Sequence, residues 1–421
     1  LPTTFARGVT WDVSRYDQIM KLDRVFLRGS ILLLIGFGVY NFFNFVFQFV
    51  MARMLTISDY GVLATIFSMF YLLTVLIEGT QTVVAKFAST NKEPGSLNSL
   101  ARRAFKKAVV LAIVFFAVYA LISFFVLTPV LKIDYKLLLI SGIALLTSLT
   151  LPINRGILQG RKRFFALSLN LIAESLAKMI LGVILVVWGF AVYGAVVGTL
   201  LGAGIALVFS FVALRDVFRA EQINVETKSL YHYSIPTFLI TIVIIAFYSL
   251  DILIARALFS PEIAGMYAIA SVLSKTVFWG TQPISRAMFP ISSENDHTNP
   301  GSKSHVLLNA CMVLSALVFA AFVLFYFFSN QLVYLFAGKN IPESAGIVMY
   351  LVLSMGALSF TNLFLLYRLS INRVKGYLFT LIFLGIEVLL LLMFSNNITE
   401  YSIGFMISSF ILLVGSMVIL R

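Results

Sequence analysis

Long apolar runs, each bounded by charged or turn-forming residues, follow one another through this chain from residue 28 to its end. Twelve can be delimited: 28–51, 62–84, 108–128, 137–158, 166–187, 191–213, 232–254, 265–285, 306–328, 346–367, 376–395 and 401–420. A helix needs about 20 apolar residues to cross a hydrocarbon layer of ~30 Å. Within that layer every backbone polar group must be satisfied inside the protein. Runs of this length and number predict an all-α polytopic membrane protein with twelve transmembrane helices. Composition agrees, with 60% hydrophobic and 12% charged residues where soluble proteins carry about 25% charged. The alternating pattern of a membrane β-barrel is missing. Only Trp188 to Phe190 separate the fifth and sixth runs, which suits a tight helical hairpin.

The net charge of +13 is explained by topology. With the N-terminus inside, 24 of the 31 basic residues fall on cytoplasmic segments and five (Arg53, Lys132, Lys136, Arg256, Lys339) fall outside; Lys178 and Lys275 lie within spans. This loop-by-loop alternation follows the positive-inside rule. It places the protein in the cell (plasma or inner) membrane with both termini cytoplasmic, and nucleic acid is not an expected partner. The first 27 residues are polar and contain no apolar h-region, so no signal peptide is expected. The longest loops are expected around 86–107, 214–231 and 286–305, too short for a catalytic or nucleotide-binding domain. No phosphate-loop, HExxH or Ser-His-Asp pattern is present. One cysteine, Cys311, and three histidines without ligand spacing suggest neither a disulfide nor a metal site. A non-enzyme without a cofactor is expected.

An internal repeat organises the spans. MARMLTISDYGVLATIFS from Met51 matches IARALFSPEIAGMYAIAS from Ile254. Ala52-Arg53 pairs with Ala255-Arg256, Leu55 with Leu258 and, after one inserted residue, Gly61 with Gly265 and Ala64 with Ala268. Further on, Gly79-Thr80-Gln81 is repeated as Gly280-Thr281-Gln282. Six spans separate the copies, and an even number preserves orientation, so the halves are parallel repeats about an axis along the membrane normal. The expected organisation is a cytoplasmic segment 1–27, an N-terminal lobe 28–213, a cytoplasmic linker 214–231 and a C-terminal lobe 232–421.

A charge at the bilayer centre costs roughly 2.5–3.5 kcal/mol on insertion scales. Six such residues lie in the spans: Glu78, Glu174, Lys178, Asp251, Lys275 and Glu387. They must face protein or water. Asn170, Glu174 and Lys178 form one stripe at i, i+4, i+8, readable as a local ion pair or as a cavity wall. Asn41, Asn44 and Gln48 form another on the first span, and Thr237, Thr241, Tyr248 and Asp251 a third on the seventh. Gln48 pairs with Asp251 in the repeat. The two Gly-Thr-Gln copies are expected to face each other across the lobe interface near the cytoplasmic side, with Pro283 after the second copy favouring a kink. Glu387 is a candidate ion or proton site.

ARMLTISDYGVLATIFS resembles the AR-x-L-x-x-x-x-Y-G start of the Wzx-type polysaccharide flippases of the MOP (multidrug/oligosaccharidyl-lipid/polysaccharide) superfamily. ILQGRKRFFALSLNLIAESLAK, from Ile157, resembles its connection between spans 4 and 5, and SRAMFPISSEN, from Ser285, its segment after span 8. The resemblance implies two six-helix lobes in a V, as in MATE-like transporters, around a cavity lined by spans 1, 2, 7 and 8. It implies translocation of a polyprenyl-pyrophosphate-linked oligosaccharide from the cytoplasmic to the outer leaflet by alternating access, with polysaccharide assembly proteins as further partners. Candidate cavity residues are Asn41, Asn44, Gln48, Glu78, Gln81, Glu174, Lys178, Asp251, Lys275 and Gln282. Arg155, Arg286, Arg368 and Arg373 are phosphate candidates at the cytoplasmic mouth. Coupling to H⁺ or Na⁺ is open, and a cation-coupled multidrug exporter of the same superfamily is the alternative. A membrane scaffold without transport activity is disfavoured by buried charge on several helices.

Overall fold

A computed structural model describes residues 13–91, 93–223, 235–298, 303–371 and 377–419. Nearly all of them are helical. Helices α1 (Val13–Met54), α2 (Ile57–Thr90) and α3 (Pro94–Ile122) come first, α3 continuing through a π turn into the short α4 (Thr128–Leu131). After α5 (Tyr135–Gly142) and α6 (Ala144–Gly160) come α7 (Phe164–Leu185), α8 (Ala191–Ala213) and the short α9 (Arg215–Phe218). The second half comprises α10 (Ile235–Leu258), α11 (Pro261–Thr298), α12 (Lys303–Ala337), α13 (Pro342–Ser370), α14 (Thr380–Met393) and α15 (Ile398–Ile419).

Among the described residues, ten helical stretches are long and apolar enough to cross a membrane. One of these, Phe164–Ala213, is two helices: Gly189 adopts φ +91, a left-handed conformation that glycine enters without a Cβ penalty, and the chain reverses there. Gly198 abuts Gly182 while Gly202 abuts Lys178, a pairing in which one number rises as the other falls, so α7 and α8 run antiparallel. Thr380–Met393 is a shorter apolar helix. Counting it and the divided hairpin gives the twelve-helix architecture expected from the sequence.

Helix starts follow local chemistry. Thr56 caps α2, its hydroxyl oxygen accepting from the Asp59 amide at 3.1 Å, and the Ser260 hydroxyl accepts from the Ile263 amide at 3.4 Å at the start of α11. The expected loops 86–107 and 286–305 are instead largely helical. α2 runs on to Thr90, α3 begins at Pro94, and α11 continues to Thr298 with Pro283 inside it. Polar residues end an apolar run but do not end a helix unless backbone bonding also stops. By the same reasoning α1 begins at Val13, inside the segment expected to precede the first lobe.

The same helix pairs are made twice. α1 packs on α7 as α10 does on α14, α2 on α6 as α11 on α13, and α3 on α6 as α12 on α13. α7 packs on α8 as α14 on α15, and α6 on α8 as α13 on α15. Between the halves, α2 lies against α10 and α11, α1 against α12, and α10 against α4. The contact is tightest where α2 and α11 begin: a Cβ on Gly61 would stand 2.8 Å from Gly265 Cα, and one on Gly265 would stand 2.1 Å from the Ile57 carbonyl oxygen. We call this the opposite end, and the end carrying Lys86, Arg161 and Arg286 the basic end. At the basic end Arg161 and Arg163 both grip Asp216, each at 2.6 Å, tying the α6–α7 connection to α9.

Two outcomes follow from this packing. Gly265→Ala should destabilise the purified protein by on the order of 1–3 kcal/mol through overpacking, read as a lower thermal midpoint. Gly346→Ala, where nothing lies within 4 Å, should leave the midpoint within experimental error. Partial burial opposes ionisation of Asp216, but the hydrogen bonds from Arg163 and Arg161 outweigh it and hold its carboxyl at about 2, below the ordinary 3.8. The clamp is therefore intact above pH ~4 and lost as pH falls toward 2. Protection factors of the 214–218 amides, corrected for the intrinsic pH dependence of exchange, should fall over that window in the wild type and be low at pH 7 in Asp216→Asn.

Candidate functional site

The halves stay in contact from Gly61 and Gly265 down to an aromatic cluster shared between them. There the Tyr71 ring meets Tyr248 edge-on at 5.3 Å and lies 6.5 Å from Trp279. Toward the basic end they part. α2 is buried from Tyr60 to Ser68, whereas Glu78, Thr82 and Lys86 are exposed. On α11, Arg286 is exposed and a Cβ on Gly280 would meet nothing within 4 Å. The arrangement is a cleft between the lobes, open at the basic end, with the aromatic cluster at its apex.

Beside the apex, the second half buries an ionic cluster. Lys275 on α11 donates to Asp251 on α10 at 3.0 Å, and the side chains are 2% and 0% exposed. Ser271 donates to the other carboxylate oxygen at 2.6 Å, Tyr267 donates to it at 3.2 Å, and the Tyr401 hydroxyl donates to the Asp251 carbonyl at 2.7 Å. The ammonium of Lys275 also lies 4.6 Å from the Tyr248 ring centroid. Glu387, on α14, is fully buried within electrostatic reach of both ions, and among the described residues neither of its carboxyl oxygens has a hydrogen-bond partner. Among the described residues the ammonium thus pairs with Asp251, and Glu387 feels it only at longer range. The sequence reading named Asp251, Lys275 and Glu387 separately and missed the donors that join them. The signal was available: Tyr267, Ser271 and Lys275 stand at i, i+4, i+8, the spacing of one helix face.

The first half has its own cluster, wired differently. Arg155 on α6 is paired with Glu174 on α7, and its Nε donates to Asn170 Oδ1 at 2.8 Å. Asn170 in turn donates to the Ala206 carbonyl on α8 at 2.6 Å. Glu174 therefore takes an arginine from a neighbouring helix and not Lys178 one turn away. Lys178 instead donates to Asn44 Oδ1 on α1, with its ammonium 4.6 Å from the Phe47 ring centroid and 5.1 Å from that of Phe67. Asn44 donates to the Tyr40 carbonyl at 2.8 Å. Arg155, expected at the mouth, is buried in this cluster. Gln48 is buried and accepts from Tyr60 at 3.4 Å, while Asn41 is exposed.

Each Gly-Thr-Gln copy hydrogen-bonds within its own half. Gln81 donates to Gln159 on α6 at 2.8 Å, and Thr281 donates to Ser359 on α13 at 2.8 Å. Each copy is secured by the fourth membrane helix of its own half, which small residues bring close: a Cβ on Gly156 would stand 2.8 Å from the Gln81 carbonyl oxygen. A polar side chain in an apolar span takes the nearest partner, and that partner is inside the lobe. Gln282 is half-buried. At the mouth, Arg286 lies within electrostatic reach of Glu78 across the cleft. Arg368 is half-buried near the end of α13, and Arg373 lies outside the described residues. Among the described residues no group of three or more His, Cys, Asp or Glu side chains could hold a metal ion.

Comparison with known proteins places this geometry. Residues 50–345 match the family of polysaccharide biosynthesis proteins. The uncharacterized membrane protein MJ1375 of Methanocaldococcus jannaschii is 25% identical over 314 residues, covering 68% of this chain and 73% of that one. Among solved structures, an outward-facing multidrug resistance MATE family transporter of the MOP superfamily matches with a TM-score of 0.59 at 16% identity, over 93% of each chain. A MATE structure in the bent conformation matches with a TM-score of 0.60 at 15% identity, over 94% of this chain and 93% of that one. A MOP superfamily transporter from Pyrococcus furiosus, described as having a binding pocket of reverse polarity, gives 0.53 at 15% identity, over 93% of each chain. At such identities the likeness establishes the fold, two six-helix lobes of the MOP type. The family match spans well over half of the chain, and on that ground this multi-pass membrane protein belongs to the polysaccharide biosynthesis protein family.

Proposed function

We propose that this protein is a flippase that carries lipid-linked oligosaccharides across the membrane by alternating access. The observation that carries the reading is the inter-lobe cleft, open at the basic end and walled by polar side chains of both halves, in a chain of a polysaccharide biosynthesis family. Basic loops lie on the cytoplasmic side of a membrane protein, so the cleft faces the leaflet where lipid-linked sugars are made. A sugar-pyrophosphate head group cannot cross hydrocarbon unaided, because its polar groups would lose water without replacement. The cleft replaces that water while a polyprenyl tail stays in lipid. Arg286 and Arg368 meet the phosphates first. Lys178 and Lys275, already held by Asn44 and Asp251, exchange those partners for phosphate deeper in the cleft. The step needs no catalytic residue, and both termini stay cytoplasmic.

One observation favours a second reading, a cation-coupled exporter of small molecules. Asp251 and Glu387 outnumber their single ammonium, and such an acid pair is where a coupling proton or Na⁺ is taken up. Reconstitution separates the two. Vesicles containing the protein should expose a polyprenyl-pyrophosphate oligosaccharide in the outer leaflet faster than protein-free vesicles, and an imposed H⁺ or Na⁺ gradient should change the rate if coupling exists. Gradient-driven movement of a cationic dye, with glycan exposure at background, would favour the exporter.

The lysines give a sharper test. Lys275→Met leaves Asp251 buried without its cation and should destabilise the protein by about 3–5 kcal/mol. Lys275→Met combined with Asp251→Asn should recover most of the thermal midpoint. The double variant, and Lys178→Ala, should nevertheless lose glycan flipping by roughly tenfold or more at unchanged protein level, since charge-assisted contacts to phosphate are gone. Wild-type rates in both would remove the lysines from phosphate recognition.

A further inference from the structure

The doubled Ala-Arg pair, Ala52-Arg53 and Ala255-Arg256, plays no part in the cleft. Both arginines stand at the opposite end, each on the last turn of the first membrane helix of its half. Each reaches into the other half. Arg53 Nε donates to the Leu335 carbonyl, near the end of α12, at 3.1 Å, and its Nη2 donates to the same oxygen. Arg256 Nε donates to the Leu131 carbonyl at 2.8 Å and its Nη2 to the Lys132 carbonyl at 3.0 Å, at the end of α4. The third membrane helix of each half is thus capped by the arginine of the other. Both capped helices are followed by a left-handed residue, Lys132 (φ 53) and Gly338 (φ 66). Gly338 lies under the Arg53 stem, where an added Cβ would stand 3.3 Å from Arg53 Cγ. Lys339 adds a further bond across the same boundary, to the Leu55 carbonyl. Phe336, next to Leu335, packs against Tyr60 and Phe49 at 6.1 and 6.2 Å.

From this reciprocal capping we propose that Arg53 and Arg256 form a two-point clasp that holds the opposite end of the cleft shut and is released each time the protein opens on that side. The inference rests on the alternating-access reading above. The last carbonyls of a helix have no partner within it and carry the negative end of the helix dipole, so a guanidinium satisfies them well. The acceptors are neutral carbonyls and not carboxylates. Water can take over both sides when the lobes part, so the latch can be broken in every cycle. The repeat explains why there are two: duplication of one half copied the arginine together with the helix end it meets.

The test is a distance measurement on the full chain in lipid. In a Cys311→Ser background, nitroxide labels at Ser58→Cys and Ser260→Cys flank the boundary on a shared surface groove. The unmutated clasp should give a predominantly short distance. Arg53→Gln and Arg256→Gln should each raise the long-distance population, with the ratio of long to short moving on the order of tenfold, and the double variant should move it further. An unchanged distribution in the variants would overturn the clasp. Arg53 is exposed, so Arg53→Gln alone carries the test if the buried Arg256 variant does not fold. The readout needs no substrate. A shifted distribution in a protein that flips no glycan supports the clasp and counts against the substrate assignment alone.

Discussion

Asp251 and Lys275 lie in the interior of a membrane protein, where protein groups must replace the water their side chains have lost. That requirement orders much of the structure around them. It brings α10 against α11, recruits Ser271 and Tyr267 to one carboxylate oxygen, and draws the Tyr401 hydroxyl from α15 to the Asp251 backbone. In an interior of low dielectric a satisfied polar network is held firmly and an unsatisfied one is costly. The first half meets the same requirement with Arg155, Glu174 and Asn170 across α6, α7 and α8. Each lobe is therefore pinned through its centre by a polar network, and the apolar surfaces left over face lipid.

The two networks are not copies of one another. Glu174 and Glu387 each lie on the fifth membrane helix of their half, but Glu174 has an arginine and Glu387 has no hydrogen-bonding partner among the described residues. The helix pairs of the two halves correspond, while the charges inside them do not. Among the described residues, the first half joins Arg155 to Glu174 and leaves Lys178 to Asn44 and two aromatic rings, whereas the second half joins Lys275 to Asp251 and leaves Glu387 without a hydrogen bond.

Much of the fold was legible because hydrocarbon imposes a length on every span and a sign on every loop. Twelve runs, the pairing of Gly61 with Gly265, and the polar stripes could all be read from spacing. Partners could not. Lys178 lies one turn from Glu174, and helical spacing alone would pair them, yet Arg155 from α6 takes the acid and Asn44 from α1 takes the amine. The repeat places Gln81 and Gln282 at equivalent levels but does not give the partner that Gln81 takes. The depth of a residue in a span is local information, whereas the direction in which it points depends on which neighbouring helix comes nearest. Glycine decided that for Gln81, since Gly156 admits α2 closely enough for Gln159 to reach it. The connections are shorter than the apolar runs imply for a related reason: α2, α3 and α11 carry their hydrogen bonding past the end of their apolar runs.

The place of the aromatic contact along its helices has a mechanical consequence. Trp279 stands at the middle of the 38-residue α11, and Tyr71 close to the middle of the 34-residue α2. At ~1.5 Å per residue, each arm of α11 is about 28 Å long on either side of that contact. Were the lobes to rock in alternating access, the helices would be equal-armed levers with the aromatic cluster as fulcrum. A rotation of about 10° there would move each end of α11 by about 5 Å, widening one mouth by as much as it narrows the other. No part of either lobe would have to bend, and the travel at the two ends would be matched by geometry alone.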